Sequence, residues 1–186
     1  SNINSLRVKE TVNAKLEIKT GTLTEGKPKV TDIVVIDKKS NEKEVLRVAA
    51  SLEKGSEHPL AEAILNKAVD LKVNTFAIKN FKALAGLGVE GFYKRDIILL
   101  GNRALMNRND IQIKDFENKV VELEEQGKTV MILAVHKKVL GLIAVADTLK
   151  ENSYDAIENL KKMNLDVIMI TGDNERTAKA IAKQVG

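Results

Sequence analysis

Ala14-Lys15-Leu16-Glu17-Ile18-Lys19-Thr20-Gly21-Thr22-Leu23-Thr24-Glu25-Gly26 is the stretch from which the rest of the chain can be ordered. Its first five residues alternate and read as a strand. The remainder, from Lys19 to Gly26, is a loop carrying glycine and three threonine hydroxyls. Backbone N–H groups and hydroxyls presented together suit an anionic oxygen, which is how a phosphoryl group is held during transfer. A threonine-rich turn after an edge strand has the same composition, so the loop alone leaves both readings open.

Working outward, the chain has 186 residues, enough to bury a core in one or two domains. Apolar residues make up 44% and charged residues 30%, which is ordinary for a soluble globular chain. Aromatics are only 3% with no Trp, so the core must be built from Ile, Val, Leu and Ala. The net charge of +4 is dispersed, and no basic block is interleaved with aromatics, which argues against nucleic-acid binding. Zero cysteines exclude a disulfide framework and a Cys-based metal site within the chain. No apolar run reaches the roughly 20 residues of a membrane helix, and the first residues are not expected to form a signal peptide.

Periodicity then places the elements. Strands are expected at Val30 to Asp37, Thr75 to Leu84, Val89 to Tyr93, Asp96 to Leu100, Val130 to Val135 and Val139 to Ala146. Helices are expected at Glu42 to Lys54, from Pro59 to about Leu71 with Ser56 as a capping residue, at Asn102 to Asn107 and at Ile113 to Gln126. Val8 and Val12 could share a helical turn before the first strand. After residue 150 the pattern becomes helix (Asn152 to Met163), fully buried strand (Leu165 to Thr171) and helix (Glu175 to Val185), which suits a parallel sheet. The expected fold is α/β: a discontinuous parallel-sheet domain (1–26 and 141–186) interrupted by an α+β domain (27–140) built on an antiparallel sheet. Ligands bind at the C-terminal ends of parallel strands, which here are expected at Ile18-Lys19, Ala146-Asp147 and Thr171-Gly172.

Five further motifs follow the first loop in order: Ser56-Glu57-His58-Pro59-Leu60-Ala61, Gly86-Leu87-Gly88-Val89-Glu90-Gly91, Gly101-Asn102, Asp147-Thr148-Leu149-Lys150 and Thr171-Gly172-Asp173-Asn174. Together with Lys19-Thr20-Gly21-Thr22 they resemble the cytoplasmic catalytic region of a heavy-metal-transporting P-type ATPase, most like the copper branch, over roughly Glu10 to Gly186. The resemblance implies a haloacid-dehalogenase-like parallel sheet with an inserted nucleotide-binding domain. It implies that Lys19, Thr20, Gly21, Thr22, Thr171, Gly172 and Asp173 surround the transferred phosphoryl group. Asp147 and Lys150 would lie near the nucleotide phosphates and the joint between domains. Glu57, His58, Gly86, Gly88, Val89, Gly101 and Asn102 would hold adenine, His58 on the base and Glu57 accepting from its exocyclic amine. The Gly-x-Gly at 86–88 is not a Rossmann fingerprint, because a strand and no helix follows it.

The implied cofactors are ATP and Mg2+, and the implied partners are ATP or ADP and the transmembrane and actuator domains of the same parent protein. The transported heavy-metal ion would be bound outside this chain, which would sit on the cytoplasmic side of the cell membrane. Two departures from the family pattern bear on chemistry. Ile18 stands where the family carries its phosphorylatable aspartate, and Glu17 is one residue out of register, on the opposite face of a strand. The family's later Gly-Asp-Gly-x-Asn-Asp segment for magnesium is not reached by Gly186, and no metal site is expected within the chain. Thr20, where related phosphatases carry an acid–base aspartate, would let a phosphoenzyme persist. Nucleotide binding without turnover is therefore expected of the chain as written, with a soluble phosphohydrolase or a catalytically silent nucleotide sensor as the competing readings.

Overall fold

The computed structural model describes residues 14–186, so the turn expected around Val8 and Val12 lies outside the described residues. The elements run β1 (Lys15–Lys19), α1 (Thr20–Leu23), β2 (Lys29–Val35), α2 (Glu42–Glu53), α3 (Pro59–Asp70), β3 (Lys79–Leu84), β4 (Gly88–Tyr93) and β5 (Asp96–Gly101). Then come α4 (Arg103–Arg108), a 3₁₀ turn at Lys114–Phe116, α5 (Glu117–Glu125), β6 (Thr129–Val135), β7 (Lys138–Ala146), α6 (Ser153–Lys162), β8 (Asp166–Ile170) and α7 (Glu175–Val185).

The fold is mixed α/β, with two separate sheets among the described residues. β1 and β8 form a parallel pair, and β2-β7-β6-β5-β4-β3 form a six-stranded antiparallel sheet. The larger sheet is covered on both faces. Val45, Ala49 and Leu52 of α2 and Ile64 of α3 pack on one face against Met131, Leu133, Ile143 and Val145. Leu105 and Met106 of α4 and Val120 and Leu123 of α5 pack on the other against Val130, Ile132, Leu142 and Ala144. Double coverage explains why β6 and β7 read as unbroken apolar runs, a pattern more often seen in parallel strands.

That coverage also corrects two expectations. β7 pairs antiparallel with both β2 and β6 as far as Ala146. The expected division at 140/141 therefore falls inside a strand, and Ala146-Asp147 does not end a strand of the parallel pair. β8 was expected to be fully buried, yet it alternates: Val167 and Met169 join Ile18 and Leu149 around Leu23, Ile157 and Val185, while Ile168 and Ile170 are exposed. A two-stranded sheet with helices on one side can bury only one of its faces. The strand expected from Thr75 begins only at Lys79.

Two chain crossings join the lobes, and they are bound to each other. Glu25 N–H donates to the Thr148 carbonyl at 2.9 Å, and Lys150 N–H donates to the Leu23 carbonyl at 2.9 Å. The Ser153 hydroxyl also donates to the Leu23 carbonyl, at 2.7 Å. Asp147 clasps the first crossing from the second, its Oδ2 accepting from Gly26 N–H at 2.9 Å and its Oδ1 from Lys27 N–H at 3.2 Å.

Candidate functional site

A cleft of about 930 Å³ lies between the two lobes. Lys19, Thr20, Gly21, Thr171, Gly172 and Asp173 line it from the parallel pair. His58, Gly86, Gly88, Val89, Gly101 and Asn102 line it from the antiparallel lobe, and Asp147 lines it at the crossing. Thr22, Glu57 and Lys150 do not line it; all three are exposed.

On the parallel-pair side the loop turns at once into the one-turn helix α1, so the strand ends at Lys19 and the next hydroxyl is fixed. Thr20 Oγ1 donates to the Ile170 carbonyl at 3.2 Å, pinning α1 to the end of β8. Thr171 Oγ1 donates to Asp173 Oδ2 at 3.0 Å and accepts from Asp173 N–H at 3.1 Å. Asn174 caps α7 by accepting from Thr177 N–H at 2.8 Å. Ile18, one place before the loop, is part of the apolar cluster with Val167 and Met169.

In the antiparallel lobe the side chains serve local structure as well as the cleft. His58, and not Ser56, is the N-cap of α3: its Nδ1 accepts from Leu60 N–H at 3.1 Å. An accepting Nδ1 leaves the proton on Nε2 of the neutral ring. Ser56 Oγ in turn accepts from His58 N–H at 3.2 Å. Asn102 caps α4 by accepting from Leu105 N–H at 3.0 Å, and its Nδ2 donates to the Gly86 carbonyl at 2.7 Å. This bond holds the glycine loop over the end of β5.

Gly88 and Gly101 are register partners in β4 and β5. A Cβ on Gly88 would stand 2.2 Å from the Leu100 carbonyl oxygen, and one on Gly101 would stand 2.1 Å from that of Leu87. Their lack of side chains lets two backbones meet at the cleft wall. Gly86, with φ of +71° and open space beside it, is the glycine of the turn itself.

The sequence reading missed Glu53. It closes α2, is 5% exposed, and lines the cleft. Its Oε2 is buried without a hydrogen-bond partner among the described residues. Burial pushes its carboxyl up to about 7, with Ser56 opposing through a hydrogen bond. Glu53 lies seven residues after Leu46 and four after Ala49, on the apolar stripe of α2, and that carboxylate within the stripe is the signal that sequence offered. A buried orphan acceptor facing a cleft is the group an incoming donor would satisfy. Thr129, also in the cleft, gave no signal in sequence; its Oγ1 donates to Asp173 Oδ1 at 2.8 Å, across the lobes.

The family model described as haloacid dehalogenase-like hydrolase matches residues 19–186. A copper-exporting P-type ATPase of Staphylococcus saprophyticus is 44% identical over 168 residues, covering 90% of this chain and 20% of that protein. One from Staphylococcus aureus is 46% identical over 169 residues with the same coverage. The chain thus spans about a fifth of the length of the curated relatives it matches. Among solved structures, a zinc-transporting PIB-type ATPase in the E2.Pi state superposes with a TM-score of 0.67 at 33% identity, over 94% of this chain and 28% of that one. The catalytic domain of the CPx-ATPase CopB-B, described as changing conformation upon nucleotide binding, gives 0.67 at 26% identity, over 94% and 58%. The N-domain of HMA8, a copper-transporting P-type ATPase, gives 0.53 at 26% identity and is covered over 99% of its length by 63% of this chain.

Proposed function

The chain belongs to the haloacid dehalogenase-like hydrolase family, and from that premise we propose that it is the ATP-binding catalytic region of a heavy-metal-exporting P-type ATPase, with copper the preferred ion. The observation that carries the reading is the cleft: a hydroxyl-rich loop and the Thr171 loop on one side, a glycine-walled pocket with a buried carboxyl that has one oxygen unpartnered on the other. The identity to copper-exporting relatives supports the ion. ATP would lie with its base by His58, Gly86, Gly88, Val89 and Gly101, and its phosphates towards Lys19, Thr20, Gly21, Thr171 and Gly172. Residues 27–146 would be the nucleotide-binding domain, in keeping with the likeness to an isolated N-domain. The parallel pair with 147–186 would be part of the phosphorylation domain.

Glu53 takes the role that sequence reading gave to Glu57. An adenine edge offers an amine donor beside a ring-nitrogen acceptor. A carboxyl titrating near 7 can accept from the first and, when protonated, donate to the second. Lys19 supplies positive charge near the developing phosphoryl charge. Thr22 and Lys150 keep only supporting parts, as neither faces the cleft.

Transfer of a phosphoryl group depends on an in-line acceptor. Ile18 offers none, and its side chain is committed to the apolar cluster. In the intact family the acceptor is an aspartate, and the aspartyl phosphate drives export of the ion through the membrane and actuator domains of the parent. This chain binds nucleotide without turning it over. Magnesium has no resident site to fit: among the described residues no three His, Cys, Asp or Glu side chains converge. Asp147 and Asp173 also have both carboxylate oxygens engaged. Mg2+ would enter with ATP, as its counter-ion.

Calorimetric titration with a non-hydrolysable ATP analogue tests the reading. Because His58 caps α3 as well as facing the cleft, His58→Asn is the informative variant: it retains a capping side chain and removes the ring. It should keep the wild-type Tm and lose about tenfold in affinity, the scale of one lost base stack. Binding indifferent to His58→Asn and to Glu53→Gln would remove the pocket assignment. Phosphate release from ATP above a buffer blank would sink the claim of binding without turnover.

A further inference from the structure

Glu124 is the most deeply buried acidic side chain among the described residues, and the cleft does not use it. It lies on α5 at 1% exposure, outside the cleft, among charges. Arg103 Nη2 donates to its Oε1 at 2.5 Å and Arg103 Nη1 to its Oε2 at 3.0 Å, a bidentate pair. Arg103 Nε also donates to Glu117 Oε1 at 2.8 Å. Hydrogen bonding to Glu124 above all raises the Arg103 pKa further beyond its usual range, so that guanidinium is always charged. A third donor comes from the other lobe: Arg176 Nη1 donates to Glu124 Oε1 at 2.9 Å.

What matters is where the two arginines sit in the chain. Arg103 directly follows Asn102, which caps α4 and holds the Gly86 carbonyl at the cleft wall. Arg176 is in the first turn of α7, two residues after Asn174 and directly beyond the Thr171–Asp173 loop. One carboxylate therefore ties the segment behind one wall of the cleft to the segment behind the other. The neighbouring bonds run the same way, from Thr129 Oγ1 to Asp173 and from Thr177 Oγ1 to the Lys128 carbonyl at 2.8 Å.

We propose that Glu124 is a positioning residue: through Arg103 and Arg176 it sets the spacing between the glycine-walled pocket and the hydroxyl loops. The proposal rests on the nucleotide reading above for what that spacing serves. A ligand that touches one wall does not sense the spacing; a ligand that spans both does. Misplacement of a reacting group by a small distance is costly even when every contact residue is intact.

The chain contains no cysteine, so Asn66→Cys on α3 and Asp155→Cys on α6 give unique label sites on opposite lobes. Inter-label distances by pulsed electron resonance, in wild type, Glu124→Gln and Arg176→Ala, test the tie without any ligand. Arg176 is 42% exposed, and its loss leaves the Glu124–Arg103 pair in place, so Arg176→Ala should fold even if Glu124→Gln does not. Arg176→Ala is expected to lengthen and broaden the distribution. It should weaken an ATP analogue by about tenfold, a typical coupling between sites, and leave adenosine within about twofold of wild type. An unchanged distance distribution would overturn the proposal, as would equal losses for adenosine and the ATP analogue, or no loss for either. Wild-type chain that binds neither ligand would sink the nucleotide reading instead, while the label distances would still decide whether Glu124 sets the spacing.

Discussion

Glu53 shows how one residue can carry both a cost and a function. Its carboxyl is nearly solvent-free, has one unpartnered oxygen, and titrates near 7 in place of 4.5. A folded-state pKa raised in this way means that the unfolded chain releases its proton first. Stability therefore falls as pH rises from about 4.5 to about 7, and the loss is complete above that. Thermal melts of wild type and Glu53→Gln should coincide near pH 4.5 and separate by pH 8, with the variant more stable by about 1–3 kcal/mol. A gap that does not change with pH would mean that Glu53 is ionised and satisfied in the fold. A bound donor from adenine should narrow the gap at pH 8, since it gives the ionised oxygen a partner. The family resemblance implied Glu57 for the adenine edge, but Glu57 is exposed and does not line the cleft, and only the carboxylate within the apolar stripe of α2 marked Glu53 in sequence.

At the level of elements, most of the architecture was legible because periodicity and caps agree with tertiary packing. Asn41, Asn102 and Asn174 each precede a helix and each caps it, and the 2-residue period appears in β1, Lys15–Lys19. The failures have one physical origin. β7 is apolar on both faces because helices cover both sides of an antiparallel sheet, and β8 is apolar in sequence yet half exposed because its two-stranded sheet is covered on one side. Hydrophobic run length fixes neither strand direction, as β7 shows, nor burial of both faces, as β8 shows. The glycines of β4 and β5 follow the same logic, since what they make room for is the neighbouring strand. Gly88→Ala and Gly101→Ala should each cost more than about 2 kcal/mol, because the new Cβ meets backbone that cannot move aside. Gly86→Ala has open space and only a left-handed φ to sustain, so about 1–2 kcal/mol is expected. Urea melts of the three variants would test the order; a Gly86→Ala loss as large as the others would mean that the turn, and not the strand contact, shapes the wall.

The molecule as a whole is two lobes that share one cleft, so its function depends on how the two crossings behave. Asp147 is the point where they are joined, spending both carboxylate oxygens on Gly26 and Lys27 N–H groups. The family resemblance implied that its motif lies near the phosphates and the joint, and these two bonds lie at the joint. An amide held by a side chain from another segment exchanges only when that segment lets go. Asp147→Ala should therefore speed exchange at Gly26 and Lys27 by about 10–100-fold, the loss of about 1.5–3 kcal/mol in charge-assisted bonds, while the α2 and β6 amides keep wild-type protection. If the α2 and β6 amides lost protection as well, Asp147 would be a general stabiliser and not a clasp on the hinge. The same measurement with an ATP analogue present completes the test. A ligand that bridges the cleft should slow exchange at Gly26 and Lys27 in wild type, because closing the lobes on it restrains both crossings. A ligand held by the antiparallel lobe alone would leave those two amides as they were.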